Sequence, residues 1–478
     1  YSLSVTNLNN ASTAILNQTQ ITLAPGESGN VTLTVSNSAP GQFNVTVTAT
    51  HVLDPNVSAT TEIITTNVLP LELSNCTNIT FPGNYTLTAN ISSSGTCINI
   101  LTNNVTLDCV GNSIIGDGTG DGINNVNNNY VEIKNCIITN FFTGIYFANA
   151  NYSNITNNTL VNNTWYGIYF DSSSNNTLTL NTANNSNYGI LLYISNANTL
   201  TNNTVNNNTE HGIWLIHSDF NTLTNNTANN NTNIGIFLYI SNFNNLTNNT
   251  ANNNGIGIHL QMSSNNNFTL NKAQNNNWDF YSISNSINNT VINLTSWQNN
   301  LSFTSKDIAL KGLRPIDINF ADPIGLRNIS KWINATNNSA DSWLFVNFSY
   351  NDTEIAAAGI KESTLRIWKF NESAGVWINE SFFTVNDVDT TANIVYANIT
   401  NFDNPFGGFG SPILGVNITA NATNATIFTD QNATYLITVG NNGTVTSTYN
   451  LSVANLNNAS TAELNQTQIT LNPGESGN

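Results

Sequence analysis

TLTNNTVNNNTEHGIWLIHSDFN (199–221) is followed directly by TLTNNTANNNTNIGIFLYISNFN (222–244), two versions of one 23-residue unit. Working outward, the glycine of this unit recurs at Gly122, Gly144, Gly167, Gly189, Gly212, Gly235 and Gly257, always 22 or 23 residues apart. From Gly144 onward it opens GIYF, GIYF, GILL, GIWL, GIFL and GIHL, whereas GINN at Gly122 is degenerate. A second apolar column runs through Ile155, Leu178, Leu200, Leu223, Leu246, Phe268 and Val291. The period is too short for two helices, and helix formers are few. Short strands between Asn-rich turns fit, and a fixed period of this size signals a solenoid.

Three short strands per period make one rung of a parallel β-helix. Ile145, Ile168, Ile190, Ile213, Ile236 and Ile258 are expected to stack inward, with Phe147, Phe170, Leu192, Leu215, Leu238 and Leu260 two residues on and on the same face. Asn158, Asn181, Asn203, Asn226, Asn249 and Asn271 form a further column, whose stacked amides are expected to hydrogen-bond from rung to rung. About nine rungs at ~4.8 Å give a rod of roughly 40–45 Å.

The flanks carry no such period. Residues 301–410 hold Trp332, Trp343, Trp368 and Trp377 and alternating runs such as WLFVNFSY and TLRIWKF, which read as an antiparallel β-sandwich. The two ends repeat each other: 449–478 matches 1–30 at 26 of 30 positions, at a constant offset of 448. Neither end looks complete. Joining 413–478 to 31–68 gives one sandwich of about 100 residues, whereas either half alone exposes unpaired edges. The expected organisation is a partial sandwich at 1–70, a β-helix at 71–300 with an N-terminal cap at 71–121, a sandwich at 301–410, and the first part of the next sandwich at 411–478. The chain thus reads as one period of something longer, cut at an arbitrary point.

Only 8% of the 478 residues are charged, the net charge is −17, and Lys and Arg number ten. That excludes a nucleic-acid footprint and an anionic membrane surface as partners. No membrane span is visible in this segment. Cys76, Cys97, Cys109 and Cys136 lie close together without CxxC spacing, which suggests disulfides in an oxidising compartment rather than zinc. The expected pairs are Cys76 with Cys97 and Cys109 with Cys136. The chain carries 42 N-x-Ser/Thr sequons, acceptors for N-linked glycans if it is secreted. Asn10, Asn30, Asn44, Asn84, Asn202, Asn225, Asn248, Asn334, Asn371, Asn432 and Asn450 represent every segment.

Three stretches resemble known families. The NTLTNNTANNN…GI pattern at 122–295 looks like the parallel β-helix repeats of NosD-type and carbohydrate-binding or sugar-hydrolase (CASH) proteins. The composite sandwich, with TYLITVGNNGTVTSTYNLSV and LNPGESGN followed by VTLTV, resembles the cell-adhesion-related (CARDB-like) Ig-like modules of archaeal surface proteins. The segment SWLFVNFSYNDTEI…TANIVYANITNFDNPFGGFG is similar to a domain near the C-terminus of many archaeal secreted proteins. These resemblances imply an all-β fold, a right-handed parallel β-helix flanked by Ig-like β-sandwich domains. They also imply an archaeal envelope protein of surface-layer or surface-filament type.

Candidate functional residues form an outward stripe. Tyr146, Tyr169, Leu191, Trp214, Phe237, His259 and Tyr281 lie two residues after each repeat glycine position, with Tyr193 and Tyr239 further along their strands. Such a face serves another domain of the chain, another subunit, or stacking on sugar rings of a surface polysaccharide. Hydrolysis or elimination needs clustered acids, but Asp171, Glu210, Asp219, Lys272 and Asp279 share no column, and Arg is absent before Arg314. A non-enzyme is therefore expected. His211, His217 and His259 fall in different columns, which disfavours copper or zinc. No cofactor is required. Calcium at Asp117, Thr119 and Asp121 in GDGTGDG is weighed against a plain turn. The expected function is a glycosylated extracellular homopolymer subunit, joined head to tail through a sandwich completed between units. A carbohydrate-binding adhesin and a polysaccharide lyase or hydrolase are the alternatives.

Overall fold

The computed structural model describes residues 1–8, 11, 13–36, 41–67, 71–379, 383–402, 404–455 and 461–478. A right-handed parallel β-helix forms the centre. Its first sheet stacks ten parallel strands, from Thr77–Ile79 to Trp278–Ile283. This sheet carries the repeat glycines. The second runs from Leu71–Leu73 to Asn289–Ser296. The third begins at Ile91–Ser92, reaches Thr182–Asn184, and continues as single bridges through Thr204, Thr227, Thr250, Lys272 and Thr295.

The register follows the sequence columns. Ile190 pairs with Ile213 and Ile213 with Ile236, while Leu200 pairs with Leu223. All these side chains are fully buried, as are Phe147, Phe170, Leu215 and Leu238. Each such side chain contributes roughly 2 kcal/mol of hydrophobic stabilisation. The third sheet contributes Ile91, Ile114, Ile138 and Leu160 in its early strands and the smaller Ala183, Val205, Ala228, Ala251 and Ala273 further on. The neighbouring column is glycine because this sheet and the next rung's backbone leave no room for a Cβ. A Cβ on Gly189 would lie 2.0 Å from Val205 Cγ1, and one on Gly212 would lie 2.6 Å from the Gly235 carbonyl oxygen.

Asparagine does two jobs at the corners. Residues there adopt positive φ, as at Asn202 (55°), Asn207 (58°), Asn225 (56°) and Asn230 (56°). Asn tolerates this conformation because its short polar side chain satisfies nearby backbone groups. The next residue points inward and builds a ladder. The Asn226 backbone N–H donates to Asn249 Oδ1 at 2.9 Å, while its Nδ2 donates to Asn249 Oδ1 (3.0 Å) and to the Leu200 carbonyl (2.9 Å). Parallel ladders run through Asn176–Asn198–Asn221–Asn244–Asn266 and through Ser173–Ser195–Ser218–Ser241–Ser263. Buried amides linked in this way satisfy corner groups that would otherwise each cost 1–3 kcal/mol or so.

Residues 71–121, expected as the entry cap of the β-helix, contain rung strands. Ile98–Ile100 pairs in parallel with both Thr77–Ile79 and Asp121–Val126. A larger correction concerns residues 301–410, expected as a separate sandwich. Their strands extend two sheets of the solenoid. Trp278–Ile283 pairs antiparallel with Ile308–Gly312, and Asn289–Ser296 with Asn299–Lys306. From there the first sheet continues through Arg327–Asn337, Asn404–Gly410, Arg366–Asn371 and Val376–Ile378. The second continues through Trp343–Ser349, Ile394–Ile399 and Phe383–Asp389. One hydrophobic core runs unbroken from Ile79 to Phe406. The sandwich is thus the solenoid's C-terminal cap, and pairing its last rung removes the open sheet edges there. Two carboxylates close the side-chain ladders at this end. Asp279, 22 residues after Gly257 and in the glycine column, accepts from Asn276 Nδ2 (3.0 Å), Ser296 Oγ (2.5 Å) and the Gly312 N–H (3.2 Å). Asp307 ends the serine ladder by accepting from the Ser286 N–H at 3.0 Å. The cap also holds a short helix, Asp352–Ala358, started by an Asn351/Glu354 capping box and stopped by Gly359 at φ 64°.

The two ends are thinner. Ser2–Asn7, Gly41–Thr50 and Ser58–Asn67 form one small sheet, and Thr13–Leu16 pairs with Leu33–Ser36. At the other end Asn417–Ala420, Ile437–Gly440 and Ser476–Gly477 form a sheet, and Ser447–Asn450 pairs with Gln468–Leu471. Val439 and Leu471 are the buried apolar side chains of the last 60 or so described residues, against an unbroken core in the solenoid.

Candidate functional site

The outer face of the glycine sheet carries the aromatic stripe. Because strands stack in register, equivalent rings meet their neighbours across rungs. Tyr146 and Tyr169 lie 5.2 Å apart, Trp214 and Phe237 5.7 Å with planes 7° apart, and Phe237 and His259 4.5 Å with planes 11° apart. Tyr281 closes the column edge-on to His259 at 5.0 Å. The stripe is two columns wide, a feature the sequence reading missed. Tyr166, Tyr188 and His211, each just before a repeat glycine, point outward too. The signal was available as an aromatic residue at three successive positions preceding glycine.

The stripe largely covers itself. Leu191, Phe237 and His211 are 4%, 7% and 6% exposed, so the expectation of an open apolar face needs correction. Tyr146, Tyr169, Trp214, Tyr239 and Tyr281 are half-buried. In the Trp214–Phe237–His259 run the ring faces lie against each other, leaving edges outward. Sugar stacking needs a free ring face, as on a stacking platform, and few remain here. Burial drives the pKa values of His211 and His259 down to about 4. It also raises that of Tyr169, with Asp171 adding to the effect.

His211 and His259 do not fit a shared metal. They sit two rungs apart with the Phe237 ring between them, 5.4 Å from His211 and 4.5 Å from His259. Among the described residues, no three His, Cys, Asp or Glu side chains come together as a metal-binding group. The Asp117 carboxylate is engaged by the Thr119 N–H (3.1 Å) and hydroxyl (2.6 Å), which lower its pKa. Asp121 instead bonds Thr143, and burial raises its pKa. The two acids thus serve different partners, an arrangement a Gly-rich turn explains by itself.

Cys76 is bonded to Cys97 and Cys109 to Cys136. Both bridges tie early rungs together. Of the sequon residues, Asn30, Asn84, Asn202, Asn225, Asn248, Asn432 and Asn450 are exposed, and Asn44, Asn334 and Asn371 are half-buried. Asn10 lies outside the described residues. Asn248 Nδ2 donates to Asn225 Oδ1 at 2.8 Å. In the rungs, NNT has a structural origin: a left-handed corner Asn, an inward ladder Asn, then a Thr opening the next strand segment. Sequons in one column stand ~4.8 Å apart, too close for a glycan on every rung. Among the described residues no helix is long and apolar enough to cross a membrane.

Comparison with known proteins agrees with this architecture. The model of the family described as periplasmic copper-binding protein (NosD) matches residues 166–308, and that of the right-handed beta helix region matches 73–228. The chain is a parallel β-helix protein. No curated protein matches the sequence. Among solved structures it is similar to the A-module of the Azotobacter vinelandii mannuronan C-5 epimerase AlgE4, at 13% identity over 47% of this chain and 75% of that one (TM-score 0.35). The Dettilon tailspike protein (gp208) shares 12% identity over 71% and 86% of the two chains (TM-score 0.32). The periplasmic alginate epimerase AlgG shares 18% over 42% of this chain and 63% of that one, less than two thirds of its length (TM-score 0.28). Likeness at this level reflects the fold alone.

Proposed function

We propose that the chain is a structural unit of an extracellular filament or surface layer on an archaeal envelope, repeated head to tail with a period of 448 residues. The observation that carries this reading is the duplicated segment. Each copy lies inside a half-built pair of sheets, and the strands missing from one half are present in the other. The disulfides, the scarcity of charge and the wealth of sequons suit a secreted glycoprotein. A head-to-tail contact that does not close on itself propagates a fibre.

Imaging of the native particle and its mass on a denaturing gel test the proposal. A filament or sheet is expected. A ladder or a very large band means covalent tandem units, whereas a band near 51.7 kDa plus glycans means strand exchange. A compact monomer with both end modules closed overturns the reading.

Sugar binding by the aromatic stripe is the second reading, favoured by the half-exposed Trp214 and Tyr239. In that case Trp214→Ala with Tyr239→Ala abolishes glycan binding and leaves assembly intact. The self-stacked rings leave few free faces, which counts against sugar recognition.

A further inference from the structure

The two copies of the thirty-residue segment fold alike up to a point, then differ in what they find beside them. Tyr1 pairs with Ile21 and Ser2 with Gln20; Tyr449 pairs with Ile469 and Asn450 with Gln468, the same pairs shifted by 448. A Cβ on Gly29 would meet Ile21 Cδ1 at 2.5 Å and Leu23 Cδ2 at 3.0 Å; one on Gly477 would meet Ile469 Cδ1 at 2.5 Å and Leu471 Cδ2 at 3.2 Å. The same seat is therefore built twice, and one junction has room for one copy of the segment.

Around the seat the neighbours are complementary. In the first copy Leu3 pairs with Ala49 and Val5 with Val47, and Leu3 is buried. Their counterparts Leu451 and Val453 have, among the described residues, no strand on the side where Leu3 and Val5 meet Ala49 and Val47, and Val453 is 49% exposed. In the second copy Gly477 pairs with Val439 and Ser476 with Gly440. Their counterparts Gly29 and Ser28 have no strand partner among the described residues. Each copy lacks the pairing that the other makes.

Resting on the head-to-tail reading above, we infer the register of the junction: Ile437 of one unit faces Val31 of the next and Tyr435 faces Leu33, while Leu451 faces Ala49 and Val453 faces Val47. The first two pairs extend the observed Val439–Gly477 pairing by two and four residues. Parity supports them. Gly29 faces inward, so Val31, Leu33 and Val35 share its face; these are half-buried, whereas Thr32, Thr34 and Ser36 are exposed. On the opposing strand Val439 is buried, so Ile437 and Tyr435 point the same way. All four of these pairs are apolar, and a one-residue slip would turn them outward.

The completed module has two four-stranded sheets. One orders Asn417–Ala420, Ile437–Gly440, the strand through 28–36, and Thr13–Leu16 or its second-copy equivalent. The other orders Gln468–Leu471, the strand through 447–455, Gly41–Thr50 and Ser58–Asn67. Exposed Ile418, Tyr435 and Val453 at one end, and half-buried Val31 and Leu33 at the other, are the inward-facing apolar residues that the separate halves leave open. The occupant of each half is thus another copy of this same unit.

The test lengthens the full chain after Asn478 by a second copy of its residues 31–67. Amide exchange at Tyr435–Val439 and at Leu451–Val453 is expected to slow on the order of a hundredfold, as newly paired strands are protected. Leu436→Cys with a Cys at the appended Thr32 is expected to form a disulfide. The same Leu436→Cys with a Cys at the appended Ser36 is not, because four residues displace the partners by ~13 Å, beyond disulfide reach. Unchanged exchange, or linkage at Ser36 in place of Thr32, overturns the register. A lengthened chain that closes in this register while native particles are compact monomers overturns the filament reading alone. Native filaments with a lengthened chain that stays open overturn the register alone.

Discussion

The solenoid and the end modules are built from the same kinds of residue, Asn, Thr, Ser and aliphatics, yet they hold together differently. In the solenoid's interior each rung is covered above and below by a near-copy of itself, so inward side chains stack and the corner amides link from rung to rung. In the end modules strands alternate as cleanly, but the sheets are small and apolar residues such as Val453 and Ile418 are exposed. The lesson is that alternation specifies a strand, whereas stability comes from what the strand is laid against.

The sharpest way to break this contrast is to interrupt a ladder. Asn226→Ala removes the two hydrogen bonds that Nδ2 donates and the Oδ1 that accepts from the Asn203 N–H and Nδ2, and is expected to destabilise the solenoid by about 4 kcal/mol in chemical denaturation. A loss under 1 kcal/mol would mean that the ladder is decorative. Gly212→Ala comes next. Its methyl would meet the Gly235 carbonyl and Asn231 Nδ2, for a loss of about 3 kcal/mol by thermal melting.

Acid should also single out the solenoid. His211 and His259 are held near pKa 4 by burial, below the unfolded value of about 6.5. A depressed histidine pKa means that the unfolded chain binds the proton first. Stability is fully present above pH 6.5 or so and is lost as pH falls toward 4, by about 2 kcal/mol per ring at pH 5. Asp279, its pKa raised by burial, works in the opposite direction on acidification. The informative comparison is therefore the native chain against His211→Phe with His259→Phe, whose stability is expected to fall less between pH 7 and pH 5. Parallel profiles would remove the histidines from the account.

The smallest effect is expected in the end module. Val453→Ala in the chain as it stands should change stability by no more than about 0.5 kcal/mol, as for an exposed side chain. After lengthening by residues 31–67 the same substitution should cost 1 kcal/mol or so, because the methyls are then buried opposite Val47.

Much of the fold was legible because a solenoid writes its contacts into its period. Side chains one period apart must touch, so the Ile, Leu and Asn columns could be read without coordinates. The continuation of the solenoid into residues 301–410 could not, because the switch from parallel to antiparallel pairing at Trp278–Ile283 and Ile308–Gly312 leaves no periodic trace. Asp279 was visible only as a scattered acid. Its position 22 residues after Gly257 marked it as the last member of the glycine column, and its partners Asn276, Ser296 and Gly312 explain why a buried carboxylate sits there. The helix Asp352–Ala358 had a signal, NDTE, too short to outweigh the surrounding strands. At the stripe the sequence placed Tyr146, Tyr169, Trp214 and Phe237 in one column but not their burial, because ring stacking depends on rotamers and on the second column at Tyr166, Tyr188 and His211.

The sequence by itself determined the rung, its three strands, its inward columns and its Asn corners, because each depends on residues one period away along the chain. It also held the duplication at the two ends. Only the tertiary structure decided that the C-terminal sandwich is part of the solenoid, that two buried acids terminate its ladders, and that the aromatic face covers itself. Those features depend on contacts between segments with no common period, which form only when the sheets are laid down in space.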